Sequence, residues 1–97
     1  MSIISHYING RVVTVADARR QAVFNPASGL EIAQVEFADQ QLVDQAVASA
    51  KAAWPAWSET APLRRARVMF KFKELLEQHQ EKLAAMITRE HGKIFSD

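Results

Sequence analysis

The sequence lacks cysteine entirely, and this absence removes several classes of chemistry at once. None of its 97 residues is a cysteine, so the chain has no disulfide bond, no thiolate zinc site and no cysteine nucleophile of its own. It also lacks any run approaching the roughly 18 consecutive apolar residues of a membrane-spanning helix. Its start, MSIISHYING, does not show the basic segment and long apolar run of a signal peptide. We therefore expect a cytoplasmic protein.

Glycine and excess charge are scarce as well. Only three glycines occur, each is isolated, and none belongs to a phosphate-binding pattern such as GxxxxGK(S/T) or GxGxxG. The hydrolase signatures GxSxG and HExxH are also missing. Twelve Lys and Arg residues against eleven Asp and Glu residues leave a formal net charge of +1. This near balance does not favour binding to nucleic acid or to an anionic membrane.

The three histidines, His6, His79 and His91, are far apart in the sequence and show no short ligand spacing. We expect surface or helix-capping histidines rather than a metal site. His91 stands in the last turn of a predicted helix, where a protonated imidazole interacts favourably with the helix dipole. We predict no catalytic, cofactor-binding, substrate-binding or metal-ligating residue in this chain.

The first third of the chain is predicted to form strands. Asn9-Gly10 stands between apolar stretches, and both residues tolerate the positive φ of a type I′ hairpin turn. Asn25-Pro26-Ala27-Ser28-Gly29 indicates a second turn, because proline cannot donate to a strand ladder and glycine suits a turn end. After it, apolar and polar residues alternate, with Glu36 on the polar face. The predicted strands cover residues 5–8, 11–15, 21–25 and 30–37, and the apolar face of the last consists of Ala33, Val35 and Phe37.

A first helix is predicted over residues 38–54. Asp39 can cap it by accepting a hydrogen bond from a backbone N–H two or three residues on. We expect Pro55 to end this helix, because proline in a helix interior costs about 3 kcal/mol. Ser58 or Thr60 is then expected to cap the next helix, with Pro62 in its first turn. The apolar stripe of the first helix is narrow and consists of Val43, Ala46, Val47, Ala50 and Trp54.

A long helical stretch over residues 60–92 follows. At about 100° per residue, its apolar side chains between Leu63 and Leu76 cover an arc of roughly 240°, whereas a helix lying on one surface needs only about 100°. Gly92 suits the left-handed residue after the last turn. Because neither Gly nor Pro stands near His79, one bent helix and two separate helices are both compatible with the pattern.

The predicted fold class is α+β: a small antiparallel β-hairpin and sheet over residues 1–37, followed by two or three α-helices, in one unit over residues 1–97. The wide apolar arc requires cover on two sides, and the rest of the chain supplies little of it. We expect the chain either to form a homo-oligomer or to be only loosely folded. The residues expected at the contact are Met69, Phe70, Phe72 and Leu76.

The long stretch also carries the one positive cluster of the chain. Such a cluster could bind phosphates, but we favour the solvated strip of an otherwise apolar helix, with weak pairing at turn spacing. Lys73 falls within the apolar arc, which indicates a stem lying along apolar surface or a carboxylate partner. The members of the cluster are Arg64, Arg65, Arg67, Lys71 and Lys73.

Four stretches occur in a familiar order: YINGRVV, VFNPASGLEIAQVEFAD, VDQAVASAKAAWPAWSETAPLRRARVMFKFKELL and EKLAAMITREHGK. In this order they resemble the N-terminal segment of the NAD(P)-dependent aldehyde dehydrogenase superfamily. The turn at residues 25–29 matches that family's Asn-Pro-(Ala/Ser)-Thr-Gly turn, with Ser28 as a conservative departure. Several shorter stretches look like the CoA-acylating branch of methylmalonate-semialdehyde dehydrogenases. They are Phe24 before Asn-Pro, Ala56-Trp57-Ser58-Glu59-Thr60, Phe70-Lys71-Phe72 and above all Arg89-Glu90-His91-Gly92-Lys93.

The resemblance implies the N-terminal part of an α/β fold in which these helices pack on a nucleotide-binding domain. It implies a parent enzyme that oxidises methylmalonate or malonate semialdehyde with NAD and CoA, giving propionyl-CoA or acetyl-CoA, CO2 and NADH, in valine and inositol catabolism. By the family pattern the Cys nucleophile, the Asn oxyanion donor, the substrate-binding arginines and the cofactor loop all lie beyond residue 97. The Rossmann and catalytic domains are therefore expected to be absent, and no catalytic role carries over onto this chain.

Two functions remain open at this point. The first, which we favour, is an N-terminal fragment of such a dehydrogenase that binds neither NAD nor CoA and is inactive by itself. The second is a stand-alone helical interaction module that self-associates or binds a full-length relative through its apolar helix faces.

Overall fold

The computed structural model describes residues 2–97 and consists of strands followed by helices. The strands are β1 (Ser2–Ile4), β2 (His6–Ile8), β3 (Arg11–Val13), β4 (Arg20–Phe24) and β5 (Glu31–Glu36). The helices are α1 (Gln40–Glu59), α2 (Pro62–Gln78) and α3 (Gln80–His91). This order confirms the predicted α+β class. None of the helices in the described range is both long and apolar enough to cross a membrane.

β2 and β3 form the hairpin that the sequence predicts. Ile8 pairs with Arg11 across a two-residue turn, and φ is 54° at Asn9 and 76° at Gly10. A type I′ turn requires positive φ at both central residues, so the Asn-Gly pair dictates this connection. The hairpin is a two-stranded sheet of its own.

The other strands form a three-stranded sheet in the order β1-β5-β4. β4 and β5 are antiparallel, and the turn between them is closed by Asn25, whose side chain accepts a hydrogen bond from the Ala27 N–H at 2.9 Å. β1 was not predicted, and it pairs with β5 in parallel, Ser2 lying opposite Ala33. A three-residue strand whose partner lies about thirty residues away has no local signal, because its pairing depends on tertiary contact alone.

The alternation expected along β5 is partly wrong. Ala33 is buried as predicted, but Glu36, which was assigned to the polar face, is only 3% exposed. The reason is that its carboxylate meets hydrogen-bond donors from the segments on either side of the hairpin, so burial leaves it satisfied.

Asp39 caps α1 as predicted, because its Oδ1 accepts a hydrogen bond from the Leu42 N–H at 2.8 Å, and the helix begins at Gln40, two residues after the predicted start. The prediction that Pro55 ends this helix at residue 54 is wrong, since α1 continues through Pro55 to residue 59. Side chains satisfy carbonyls of the last turn. The Ser58 hydroxyl donates to the Pro55 carbonyl at 3.0 Å, and the Thr60 hydroxyl donates to the Ala56 carbonyl at 2.8 Å.

The same two hydroxyls explain why neither residue caps α2, contrary to our expectation. The N-cap of α2 is Ala61, which makes no side-chain hydrogen bond, and Pro62 stands in the first turn as predicted. The choice between one bent helix and two is settled at His79, which separates α2 from α3 with φ −106° and ψ 18°. Gly92 ends α3 in the left-handed conformation, with φ 84°, as predicted.

Little of this structure is enclosed. In the described range the buried residues are Ala33, Leu42 and Glu36. The molecule extends over 48 × 37 × 15 Å. With so few buried side chains, the molecule does not enclose the core that two packed layers of secondary structure form between them. The elements therefore form a single layer.

Candidate functional site

The three histidines lie in separate elements of the described range, residues 2–97. His6 lies in β2, His79 at the junction of α2 and α3, and His91 at the end of α3. Over the described range, no three of the His, Asp and Glu side chains are grouped closely enough to hold a metal ion.

The residues present do not fit a dinucleotide either. The positive-φ glycines lie in two turns and at a helix end, not in a loop that leads into a helix N-terminus, where phosphates bind. At the start of α1 the backbone N–H of Leu42 is already bonded to the Asp39 carboxylate, which would repel a phosphate. The described residues therefore do not form a glycine-rich loop that could hold the phosphates of NAD.

Four members of the basic cluster on α2 are exposed, whereas Arg65 is half-buried and its Nε is buried without a hydrogen-bond partner. Lys71 Nζ lies 3.4 Å from a carboxylate oxygen of Glu74, and Lys73 Nζ lies 3.1 Å from one of Glu77. The Lys73 pair supplies the carboxylate partner that its position in the apolar arc indicated. Both pairs are highly exposed, so each contributes at most a fraction of a kcal/mol, on the order of 0.5.

Glu36 is the one buried charged residue in the described range. Its Oε1 accepts a hydrogen bond from the Ser5 hydroxyl at 2.7 Å, and its Oε2 accepts one from the Val15 N–H at 3.2 Å. The Ser5 bond first, then the Val15 bond, hold the pKa of Glu36 below its ordinary value of 4.5 against the opposing effect of burial, with smaller contributions from Arg20 and His6. Sequence reasoning missed this site, because a glutamate at the end of a strand is normally solvated.

The largest candidate site is the apolar helix surface, which we define as Met69, Phe70, Phe72 and Leu76 of α2. Neither α2 nor α3 contains a buried residue. Phe70 is 67% exposed and Phe72 is 53% exposed. On α3 the surface is continued by other exposed apolar side chains, namely Leu83, Met86 and Ile87. The structure therefore leaves uncovered the residues that the sequence indicated as a contact surface.

The size of this exposure can be judged from the whole molecule. The chain exposes 8095 Å², whereas a folded monomer of its mass is expected to expose about 5,600 Å². Its radius of gyration is 17.3 Å, against roughly 13 Å for a compact domain of about 100 residues. The excess surface of about 2,500 Å² is some three times the roughly 800 Å² that one partner contributes to a standard interface. The chain thus exposes as much surface as is expected when no second layer of structure packs on its helices.

Comparison with known proteins gives the context of this uncovered layer. The model of the aldehyde dehydrogenase family matches residues 13–97. The chain is 44% identical over 98 aligned residues to the malonate-semialdehyde dehydrogenase of Pseudomonas aeruginosa, a match that covers 100% of this chain and 19% of that protein. It therefore spans about one fifth of the length of the curated relatives it matches.

Two solved structures likewise match nearly the whole of this chain and about one fifth of their own length. The crystal structure of methylmalonate-semialdehyde dehydrogenase from Oceanimonas doudoroffii superimposes with a TM-score of 0.95 at 50% identity, over 99% of this chain and 20% of that one. A Sinorhizobium meliloti protein assigned as a methylmalonate-semialdehyde dehydrogenase, crystallised with NAD, gives a TM-score of 0.94 at 43% identity, over 98% of this chain and 19% of that one.

Proposed function

The chain belongs to the aldehyde dehydrogenase family, and on that basis we propose that it forms the N-terminal layer of an NAD-dependent, CoA-acylating methylmalonate- or malonate-semialdehyde dehydrogenase. The reaction of the parent enzyme converts the semialdehyde, NAD and CoA to propionyl-CoA or acetyl-CoA, CO2 and NADH, as in valine and inositol catabolism. The names of the similar proteins support this substrate class, and the NAD in one related crystal structure supports the cofactor.

The observation that carries the proposal is the uncovered apolar helix surface. A side chain such as Phe70, at 67% exposure, contributes little to stability where it stands. Burying even about 400 Å² of such surface yields roughly 10 kcal/mol at about 25 cal/mol per Å², which rivals the whole stability of a small domain. We infer that the rest of the parent enzyme covers this surface and that the chain contributes packing to it, not catalytic groups.

It follows from the proposal that the chain alone is inactive. We expect no NADH absorbance to develop when it is mixed with malonate semialdehyde, NAD and CoA at any protein concentration. A full-length relative such as the Pseudomonas aeruginosa enzyme serves as the positive control in the same assay. Measurable turnover by the chain, above that of a blank, would overturn the assignment of all catalytic groups to the rest of the parent enzyme.

Without that cover, we propose that the chain self-associates through the apolar helix surface. Light scattering after size exclusion should show an oligomer that dissociates on dilution. Phe70→Ser and Phe72→Ser should shift dissociation to higher protein concentration. Tyr7→Ser removes an aromatic ring from the hairpin that is at least as exposed as either phenylalanine, and it should not shift dissociation. A compact monomer at every concentration would contradict self-association while leaving the proposed parent activity untouched.

A further inference from the structure

The β2–β3 hairpin is attached to the fold differently from the other strands. Within residues 2–97, β2 and β3 pair only with each other, whereas β1, β4 and β5 share a three-stranded sheet. The cross-strand pair Tyr7 and Val12 is 74% and 69% exposed, and on the opposite face Ile8 and Val13 are half-buried, so no apolar side chain of the hairpin is fully buried. Since an isolated two-stranded hairpin is at best marginally stable in water, its position must be held by contacts outside its own ladder.

Both ends of the hairpin meet at one carboxylate. Ser5 immediately precedes β2, and its hydroxyl donates to Glu36 Oε1 at 2.7 Å. Val15 follows β3, and its N–H donates to Glu36 Oε2 at 3.2 Å. Glu36 is the last residue of β5, the central strand of the three-stranded sheet. Each oxygen thus holds one end of the hairpin, and hydrogen bonds to a charged acceptor are the stronger kind.

The surroundings keep this carboxylate charged. Arg20 of β4 lies opposite Glu36 in the strand register, and His6 of β2 also favours the charged form. With 3% exposure, Glu36 offers water little access to compete for its two donors. We call the arrangement of Ser5, Val15 and Glu36 the carboxylate clasp.

We propose that the hairpin, residues 6–13, is a strap that opens as a unit when the carboxylate clasp is released, while the β1-β5-β4 sheet stays paired. The strap forms one wall of an open cleft of about 730 Å³ against α1, so opening widens that cleft. The hairpin side is lined by Ile8, Asn9, Arg11 and Val13, and the α1 side by Gln45, Ala48, Ser49, Ala52 and Ala53. This device does not depend on the reaction proposed for the parent enzyme.

Hydrogen–deuterium exchange of the 97-residue chain, followed by mass spectrometry, tests this. Ser5→Ala removes one arm of the clasp and should accelerate exchange in residues 6–13 about tenfold, the order expected for losing a hydrogen bond to a charged group. Exchange in β4 and β5 should stay at the wild-type rate. Ser28→Ala is the matched control, since the Ser28 hydroxyl accepts a hydrogen bond only within its own turn, and it should leave residues 6–13 unchanged.

Glu36→Leu removes both arms at similar side-chain volume and should accelerate hairpin exchange further than Ser5→Ala does. If Glu36→Leu unfolds the whole chain, Ser5→Ala decides the matter alone. The proposal is wrong if Ser5→Ala leaves hairpin exchange at the wild-type rate. It is equally wrong if hairpin and sheet accelerate together, or if the wild-type hairpin is already unprotected.

Discussion

Gly92 provides the sharpest test of how the helices are held against the sheet. It ends α3 with φ 84°, and it lies against the turn between β4 and β5. A Cβ added at Gly92 would stand 3.0 Å from Pro26 Cγ and 3.7 Å from Pro26 Cβ. Carbon atoms pack best at about 3.5–4.0 Å, so the first contact is an overlap that one of the two segments must relieve by moving.

The expected cost of Gly92→Ala has two parts. A left-handed conformation costs a residue with a Cβ roughly 1–2 kcal/mol, and overpacking typically costs a further 1–3 kcal/mol. Gly10 isolates the first part, because its φ is 76° and a Cβ there would meet nothing within 4 Å. We therefore expect Gly92→Ala to lower the free energy of unfolding by about 1–3 kcal/mol more than Gly10→Ala does.

The assay is urea unfolding of each variant at one fixed protein concentration, with the slope of the transition checked for constancy. A double-mutant cycle assigns the excess to the contact. Pro26→Ala removes Cγ and keeps Cβ, so Gly92→Ala should cost less in that background than in the wild-type chain. Equal costs for Gly92→Ala and Gly10→Ala, or a cycle without coupling, would refute the docking of the end of α3 on the turn.

Three further predictions concern other elements. Asp39→Ala removes the hydrogen bond to the Leu42 N–H and should lower the free energy of unfolding by about 1 kcal/mol, measured by urea unfolding. Pro55→Ala restores a missing backbone donor inside α1 and should raise the free energy of unfolding by up to about 3 kcal/mol. Pro62→Ala is the control, because Pro62 stands in the first turn of α2, and it should be nearly neutral. Equal effects of the two substitutions would contradict the prediction for Pro55. Because the pKa of Glu36 is lowered on folding, its stabilisation is present above the ordinary value of 4.5 and is lost as pH falls from there through the lower folded-state value. Glu36→Gln should flatten this part of the stability–pH profile, and an unchanged profile would exclude the clasp as its cause.

The hairpin turn, the start of α1 and the end of α3 were predictable because their signals are local. Asn9-Gly10 dictates a turn with two positive φ angles, and Asp39 supplies the acceptor that a helix start needs. Gly92 adopts the φ that suits a residue without Cβ. In each case the deciding interaction lies within a few residues, so the sequence pattern and the structure agree.

Two of the errors come from partners far away in the sequence, and the others do not. β1 and the burial of Glu36 depend on partners about thirty residues away, and no periodicity in either segment signals them. Pro55 shows the limit of propensity, because the helix continues beyond the proline although its missing N–H removes one bond of the helix ladder. The Ser58 and Thr60 hydroxyls bond carbonyls of the last turn, not the carbonyl that loses its donor at Pro55. The break at His79 likewise has no Gly or Pro to mark it.

The sequence by itself determined the local geometry, the α+β order of elements and an apolar arc too wide for one contact, because each of these follows from side chains close together along the chain. The resemblance to its family also followed from short motifs and their order along the chain. Only the tertiary structure decided that the elements form a single layer and that Phe70 and Phe72 stay exposed. The carboxylate of Glu36, likewise, joins the hairpin to the sheet only in the folded chain. The physical reason is that burial and long-range hydrogen bonds depend on which surfaces meet in the folded chain. A sequence pattern shows that an apolar surface needs a packing partner, but not whether the same chain provides that partner.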